Sequence, residues 1–356
     1  MADYVDMPRG VRAGEELDTE KLAAYLQAQL PDAAGPLEIG QFPSGFSNLT
    51  YFVRMGDSEY VLRRPPFGTK VKSAHDMGRE YRILAGLSPV YPAAPRPVLY
   101  CDEPEVMGAP FYLMQRVRGI ILRSKKPEGW ALAAGDVRQL CKVFVEHFAD
   151  LHALDYAAAG LGELQRPGWY VERQVNGWVD RYYGSQTDDI PAIEQAAAWL
   201  KAHMPPDSAA CLIHGDFKWD NLVLDPSDYT KVLGVLDWEM ATIGDPLMDL
   251  GTVLSYWIEP NDPPFGRVEC FLTREPGAMT RQELVDYYGE LTGRDTSNAA
   301  FYFTFALIKL AVIVQQIYYR YKQGLTKDER FANLIMAVGA LGMKATEVIE
   351  TGKISP

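Results

Sequence analysis

The sequence predicts an α+β protein in two lobes: a small β-rich N-terminal lobe over residues 1–116 and a larger, mostly helical C-terminal lobe over residues 117–356. Three observations carry this. The chain has 356 residues, more than the about 250–300 at which a single core stops growing. Up to Arg116, short strand-like runs alternate with turn residues. Beyond it the apolar spacing is helical, apart from one hairpin pattern near the middle of the chain.

The elements follow in order. Asp18 to Leu30 places Leu22, Tyr25, Leu26 and Leu30 on one helical face. Tyr51 to Met55 reads as a strand, Gly56-Asp57-Ser58 as its turn and Glu59 to Arg64 as the return strand. Pro65-Pro66 ends the ladder, because proline has no N–H to donate. Ser73 to Asp76 resembles a capping box opening a helix that runs to Leu87. Phe111 to Val117 is a further strand, after Pro110. A sheet lobe followed by a helical lobe implies a junction between them, a favoured place for a ligand.

Composition narrows the function. Hydrophobic residues make up 47% and charged residues 23%, which excludes disordered and fibrous classes. Lys plus Arg number 35 and Asp plus Glu 47, a net charge of −12. That argues against a nucleic-acid binder and against a protein held on anionic lipid, while leaving room for a local basic pocket. Cys101, Cys141, Cys211 and Cys270 lack metal-ligand spacing and read as reduced, buried thiols of a cytoplasmic protein. The polar, acidic N-terminus has no apolar core of a signal peptide. Phe301 to Val314, interrupted by Thr304 and Lys309, is expected to be a buried helix too short to span a bilayer.

The chemistry concentrates between Leu212 and Asp249, in LIHGDFKWDNLVLDPSDYTKVLGVLDWEMATIGDPLMDL. Leu222 to Leu224 and Lys231 to Leu236 form a hairpin around a loop containing Pro226, Ser227 and Asp228. Antiparallel pairing then makes Asn221 and Asp237 neighbours. Both offer oxygen ligands of the kind Mg²⁺ accepts alongside substrate phosphates. Asp216 lies five residues before Asn221 and supplies a carboxylate suited to a general base. Any one of these residues alone is an ordinary turn residue. Together, D-x-x-x-x-N, a hairpin and a second Asp match the phosphotransfer template of protein kinases.

His214-Gly215-Asp216, Asn221, Asp237-Trp238-Glu239 and Gly244-Asp245-Pro246 with Asp249 resemble the aminoglycoside phosphotransferase/choline kinase superfamily, whose fold is protein-kinase-like. The resemblance runs from about Phe42 to the C-terminus. It is closest to the branch forming the kinase-like part of acyl-CoA dehydrogenase fusion proteins, through FPSGFSNLTY, YVLRRPP, REY and LDWE. It implies that Asp216 is the base and that Asn221 and Asp237 hold Mg²⁺ on ATP. It also implies that Asp249 is a buried acceptor for the catalytic loop and that His214 orients that loop. Lys218 stands where protein kinases place a lysine on the transferring phosphoryl group.

On the nucleotide side, the resemblance places Arg63 at the position of the usual phosphate-gripping lysine and Glu80 as its partner. An arginine keeps its charge and can grip phosphate with a fork. Lys70 and Lys72 remain alternatives for that contact. Six Lys or Arg and two acidic residues lie between Arg63 and Arg82, a local basic excess suited to a polyanion. The backbone around Gly45, Ser47 and Asn48 would cradle phosphates, although only one glycine stands there. Gln115 and Val117 occupy the hinge that would meet adenine.

The expected function is therefore transfer of the γ-phosphoryl group of ATP to a hydroxyl of a small molecule. The alternatives are an aminoglycoside kinase and a catalytically weak nucleotide-binding relative. A protein kinase is disfavoured, because only seven residues separate Asp237 from Asp245. Phe301 to Leu325, expected to line the acceptor side, contains no Asp or Glu but carries Lys309, Arg320 and Lys322 with interleaved tyrosines. That favours an anionic acceptor, such as a hydroxy acid or hydroxyacyl-CoA, with Tyr318 to Lys322 nearest the ligand.

Overall fold

The computed structural model describes residues 5–30, 35–42, 48–67, 76–126, 129–262, 270–326 and 328–356. The first elements are α1 (Thr19–Gln29), β1 (Leu37–Gln41), β2 (Leu49–Met55), β3 (Ser58–Arg64), α2 (Met77–Leu87), β4 (Pro97–Cys101), α3 (Pro104–Met107) and β5 (Phe111–Gln115). There follow α4 (Ala134–His152), α5 (Tyr170–Ser185), α6 (Pro191–Ala202), β6 (Cys211–Ile213), β7 (Leu222–Leu224), β8 (Val232–Val235) and β9 (Thr242–Gly244). The chain closes with α7 (Pro246–Tyr256), α8 (Arg281–Thr292), α9 (Ala299–Lys322) and α10 (Leu334–Thr351).

The chain divides into two compact units. The first comprises Met1–Ile121, Ala159–Leu161 and Asn221–Met240, and the second is the remainder. The division differs from the expected cut after residue 116, because the central hairpin belongs with the sheet. The reason is backbone pairing. Leu224 N–H donates to Ile120 O at 2.8 Å, Ile120 N–H donates back at 2.9 Å, and Val235 N–H donates to Ala93 O at 2.7 Å. The Trp238 ring meets Tyr91 edge-on at 6.0 Å.

In the first unit the sheet order is β1-β2-β3-β5-β4, antiparallel throughout. Met55 pairs with Ser58, so the β2–β3 turn is the two residues Gly56-Asp57, with Gly56 at φ 57°. Alternation puts Tyr51, Val53 and Met55 on the core face, where they meet Leu22 and Leu26 of α1. Each of these leucines is fully buried, contributing about 1.5–3 kcal/mol. The Asp18 carboxylate caps α1 by accepting Lys21 N–H. Helix α2 begins after the expected capping box: Asp76 is its N-cap and accepts Arg79 N–H at 2.8 Å. Ser73, Ala74 and His75 lie outside the described residues.

The second unit is helical, with a two-stranded β6–β9 ladder pairing Cys211 with Gly244 and Ile213 with Thr242. That ladder sets the loop leaving β6 beside the start of α7. Helix α7 packs on α9 so closely that a Cβ on Gly251 would lie 2.3 Å from Tyr302 O. Only glycine permits this approach. Helix α9 corrects one expectation. It runs 24 residues and, with Glu329–Thr351, is long and apolar enough to cross a membrane by length and composition. The most apolar window of α9 is 61% buried inside the protein, as in a core helix. All four cysteines are free and buried.

Candidate active site

In the first unit, period-two alternation along β3 brings Arg63 opposite Tyr112 of β5. The first turn of α2 carries Glu80, which is 2% exposed. Arg63 Nη1 donates to Glu80 Oε1 at 2.5 Å. Its Nη2 donates to Asp237 Oδ1 at 3.0 Å and to Glu239 Oε2 at 3.2 Å. Asn48 Nδ2 donates to the same Glu239 oxygen at 2.6 Å, and Arg79 Nη1 donates to the Glu239 carbonyl at 2.9 Å.

Three carboxyl groups thus converge on one buried guanidinium. Burial alone would lower the Arg63 pKa, but Glu80, Asp237 and Glu239 more than offset it and keep Arg63 charged. Burial pushes the Glu80 carboxyl up to about 7; Arg63 opposes the shift, while Asp237 and Glu239 add to it.

The hairpin performs as its pairing requires. Leu222 pairs with Val235, and Leu236 N–H donates to Asn221 O at 2.7 Å, so Asn221 and Asp237 flank the same end. Asp237 has φ 68°, alone among the described non-glycine residues in the left-handed region. A non-glycine side chain there costs about 1–3 kcal/mol, and such residues cluster at functional sites. The side chains of Asp237 and Asn221 offer oxygen donors of the type Mg²⁺ takes. A cation beside Asp237 would also balance the excess of carboxylates, so the residues fit such an ion. Among the described residues no group of three or more His, Cys, Asp or Glu converges as a metal site.

Gln115 and Val117 lie at and beyond the end of β5. The N–H groups of Gln115 and Arg116 donate to Arg96 O and Glu59 O. The Val117 side chain packs toward Gly234 of β8. Gly45, Ser47, Lys70 and Lys72 lie outside the described residues.

In the second unit, Asp216 sits on the loop leaving β6. Buried Asp249, in the first turn of α7, accepts His214 N–H at 2.8 Å and Gly215 N–H at 2.9 Å. Its Oδ2 also meets His152 Nε2 at 3.3 Å, and His152 Nδ1 meets the Tyr288 hydroxyl at 2.8 Å. Burial would raise the Asp249 pKa; hydrogen bonding and charge from His152 and His214 outweigh it and lower the value. His214 Nδ1 accepts Asp216 N–H at 3.3 Å, and Gly215 turns the loop at φ 80°. The His214 ring thus bonds the backbone of its own loop.

Lys218 Nζ lies 2.9 Å from Asp216 Oδ2 and 4.8 Å from the centre of the Tyr256 ring. Burial, and next the charge of Asp216, push the Tyr256 hydroxyl pKa up. Burial would lower the Lys218 pKa, but Asp216, Tyr256 and Asp220 outweigh it and raise the value. From α9, Lys309 Nζ donates to Gly215 O at 3.3 Å. A carboxylate on a loop fixed by its own backbone donors, beside a lysine kept charged, can take a proton from a hydroxyl and steady an anionic group.

Sequence reasoning assigned no role to Glu239 or Tyr256, and placed Lys309 only among the basic residues of the acceptor-side stretch, not on the catalytic loop. Glu239 stands two residues after Asp237, and that spacing was its signal. Tyr256 gave none beyond residue type, and the contact of Lys309 with Gly215 spans 94 residues.

A five-stranded antiparallel sheet, a mainly helical second unit and this catalytic loop define a protein-kinase-like phosphotransferase fold. Residues 38–284 match the model of the phosphotransferase enzyme family, and the chain belongs to that family. It is 33% identical over 339 residues to acyl-CoA dehydrogenase family member 11 of Rattus norvegicus, covering 92% of this chain and 43% of that protein. It is also 33% identical over 315 residues to family member 10 of Mus musculus, covering 88% and 29%. The chain thus spans less than half the length of these curated relatives. Among solved structures, it resembles a Ralstonia eutropha protein assigned provisionally as an aminoglycoside phosphotransferase, with TM-score 0.78 and 29% identity over 93% of this chain and 99% of that one. Aminoglycoside phosphotransferase APH(4)-Ia, in a ternary complex with AMP-PNP and hygromycin B, shares the fold at TM-score 0.58 and 15% identity, covering 91% and 97%.

Proposed function

We propose that the protein is an ATP-dependent phosphotransferase that moves the γ-phosphoryl group to a hydroxyl of a small molecule. The observation carrying this is the Asp216 loop, with its base paired to Lys218 and its backbone fixed by Asp249. In this reading Asp216 accepts the proton of the acceptor hydroxyl as the oxygen bonds to phosphorus. Lys218 carries its charge to the transferring group. Arg63, held by Glu80, grips the phosphates, and backbone groups near Gln115 and Val117 meet the base. Asn221 and Asp237 would hold Mg²⁺, which when bound neutralises phosphate charge. Family membership and the AMP-PNP-bound neighbour support the nucleotide.

For the acceptor we favour an apolar body bearing an anionic group, such as a hydroxy acid or hydroxyacyl-CoA. The support is the basic, acid-free composition of Phe301 to Leu325. Within it Lys309 is spent on the catalytic loop through Gly215 O, and Tyr318 is buried with its ring 5.8 Å from Lys322 Nζ. An aminoglycoside is the second reading, favoured by the structural neighbours alone. The test is MgATP-dependent phosphorylation of hydroxyacyl thioesters, free hydroxy acids, kanamycin and choline side by side. Highest efficiency with kanamycin would reverse the order of the two readings. Absence of transfer despite ATP binding would point to the catalytically weak alternative.

A further inference from the structure

Glu239 occupies donors that a phosphate group would need. Its Oε2 accepts from Asn48 Nδ2 at 2.6 Å and from Arg63 Nη2 at 3.2 Å. Asn48 is 3% exposed and Arg63 6%, so these donors are shielded from bulk water and are costly to leave unmade. Two hydrogen bonds from an amide and a guanidinium to one oxygen are what a phosphate oxygen would also receive. The Glu239 backbone is fixed separately, through Arg79 Nη1 on its carbonyl at 2.9 Å. The carboxylate can therefore swing away without loss of the chain's placement. Its side chain is 19% exposed, which leaves it a route to solvent. Charge adds to the argument. Glu80, Asp237 and Glu239 all bear on Arg63, and an arriving polyanion would meet a third carboxylate already on its cation.

We propose that Glu239 is a built-in competitor of the nucleotide's phosphates, filling the Asn48–Arg63 donor pair when nucleotide is absent and giving it up on binding. The proposal rests on the kinase reading above and adds a regulatory element to it: nucleotide affinity is set partly by the release of one carboxylate. Arg63 and Asn48 are the donors at stake, and Glu80 keeps Arg63 in place throughout.

The experiment is calorimetric titration of ADP, with EDTA present, into wild type, Glu239→Gln and Glu239→Asp. Glutamine keeps the shape and removes the charge; aspartate keeps the charge and shortens the reach. Removing a competing charged hydrogen bond is worth about tenfold in affinity, so Glu239→Gln should bind ADP about tenfold tighter, with Glu239→Asp in between. Tripolyphosphate should show the same order, because the competition concerns phosphates and not the base. Equal or weaker binding by both variants, with wild type binding normally, overturns this proposal and makes Glu239 a supporting residue. A wild type that binds neither ADP nor ATP overturns the kinase reading itself.

Discussion

Lys309, between Ile308 and Leu310 in the apolar first half of α9, donates from its Nζ to the carbonyl oxygen of Gly215 at 3.3 Å. The bond ties α9 to the residue immediately before the candidate base. Burial lowers the Lys309 pKa, with Asp216 and Asp249 opposing that shift. Such a lysine is costly to keep in an apolar helix, and a loop-positioning role accounts for it. Lys309→Met should lower kcat about tenfold with KM for ATP unchanged, because misplacing a base by a fraction of an ångström weakens the near-attack geometry. A raised KM for the acceptor with normal kcat would instead put Lys309 on the acceptor's anionic group. Steady-state kinetics with each substrate varied separates these outcomes.

Asp216→Asn should abolish transfer while leaving nucleotide affinity within a few-fold. Its contacts are to Lys218 and the backbone of the catalytic loop, whereas Arg63, Asn48 and Asp237 belong to the other unit. The amide keeps the shape and cannot take the proton. Parallel calorimetry and turnover assays check this, and near-wild-type turnover would remove Asp216 from the chemistry.

How much of this was legible in the sequence depended on how far apart the interacting residues lie. Asn221 and Asp237 could be paired by strand logic alone, since the hairpin is local. Asp249 and Glu80 could be placed through the resemblance. Glu239 could not, because its contact with Asn48 spans 191 residues and forms only once the hairpin joins the sheet. The same joining explains why the unit boundary was missed: the Ile120–Leu224 backbone pair has no side-chain signature. The left-handed backbone of Asp237 was equally invisible, since glycine usually marks that conformation. Lys309 read as an interruption in a core helix and as a basic residue on the acceptor side, while its bond to Gly215 O, 94 residues away, had no local signature.

Arg63→Ala should destabilise the protein, and more at pH 8 than at pH 6, since above about 7 it leaves an ionised Glu80 in the interior without its cation. Arg63→Lys should cost less. It should still weaken ATP binding about tenfold, because one ammonium cannot serve Glu80, Asp237 and a phosphate at once. Binding weakened more by Lys70→Ala or Lys72→Ala than by Arg63→Lys would move the phosphate grip to the loop. Urea unfolding and ATP calorimetry on the variants decide it.

Glu80 makes stability depend on pH in a direction opposite to that of an ordinary paired carboxylate. Its ordinary value is 4.5, and in the folded protein burial pushes it up to about 7. Between those values the folded state holds a proton that the unfolded state has lost. Stability must then fall as pH rises through this window, and the loss is complete above about 7. The change is worth up to about 3 kcal/mol. Glu80→Gln, which cannot ionise, should flatten this part of the profile. The check is urea unfolding of the nucleotide-free protein and the variant at intervals from pH 5 to pH 8. Wild type should lose midpoint across the series while Glu80→Gln changes less. A wild-type profile that rises over the same range, or one unaffected by the substitution, would show that Glu80 stays ionised beside Arg63 and that the ion pair outweighs its burial.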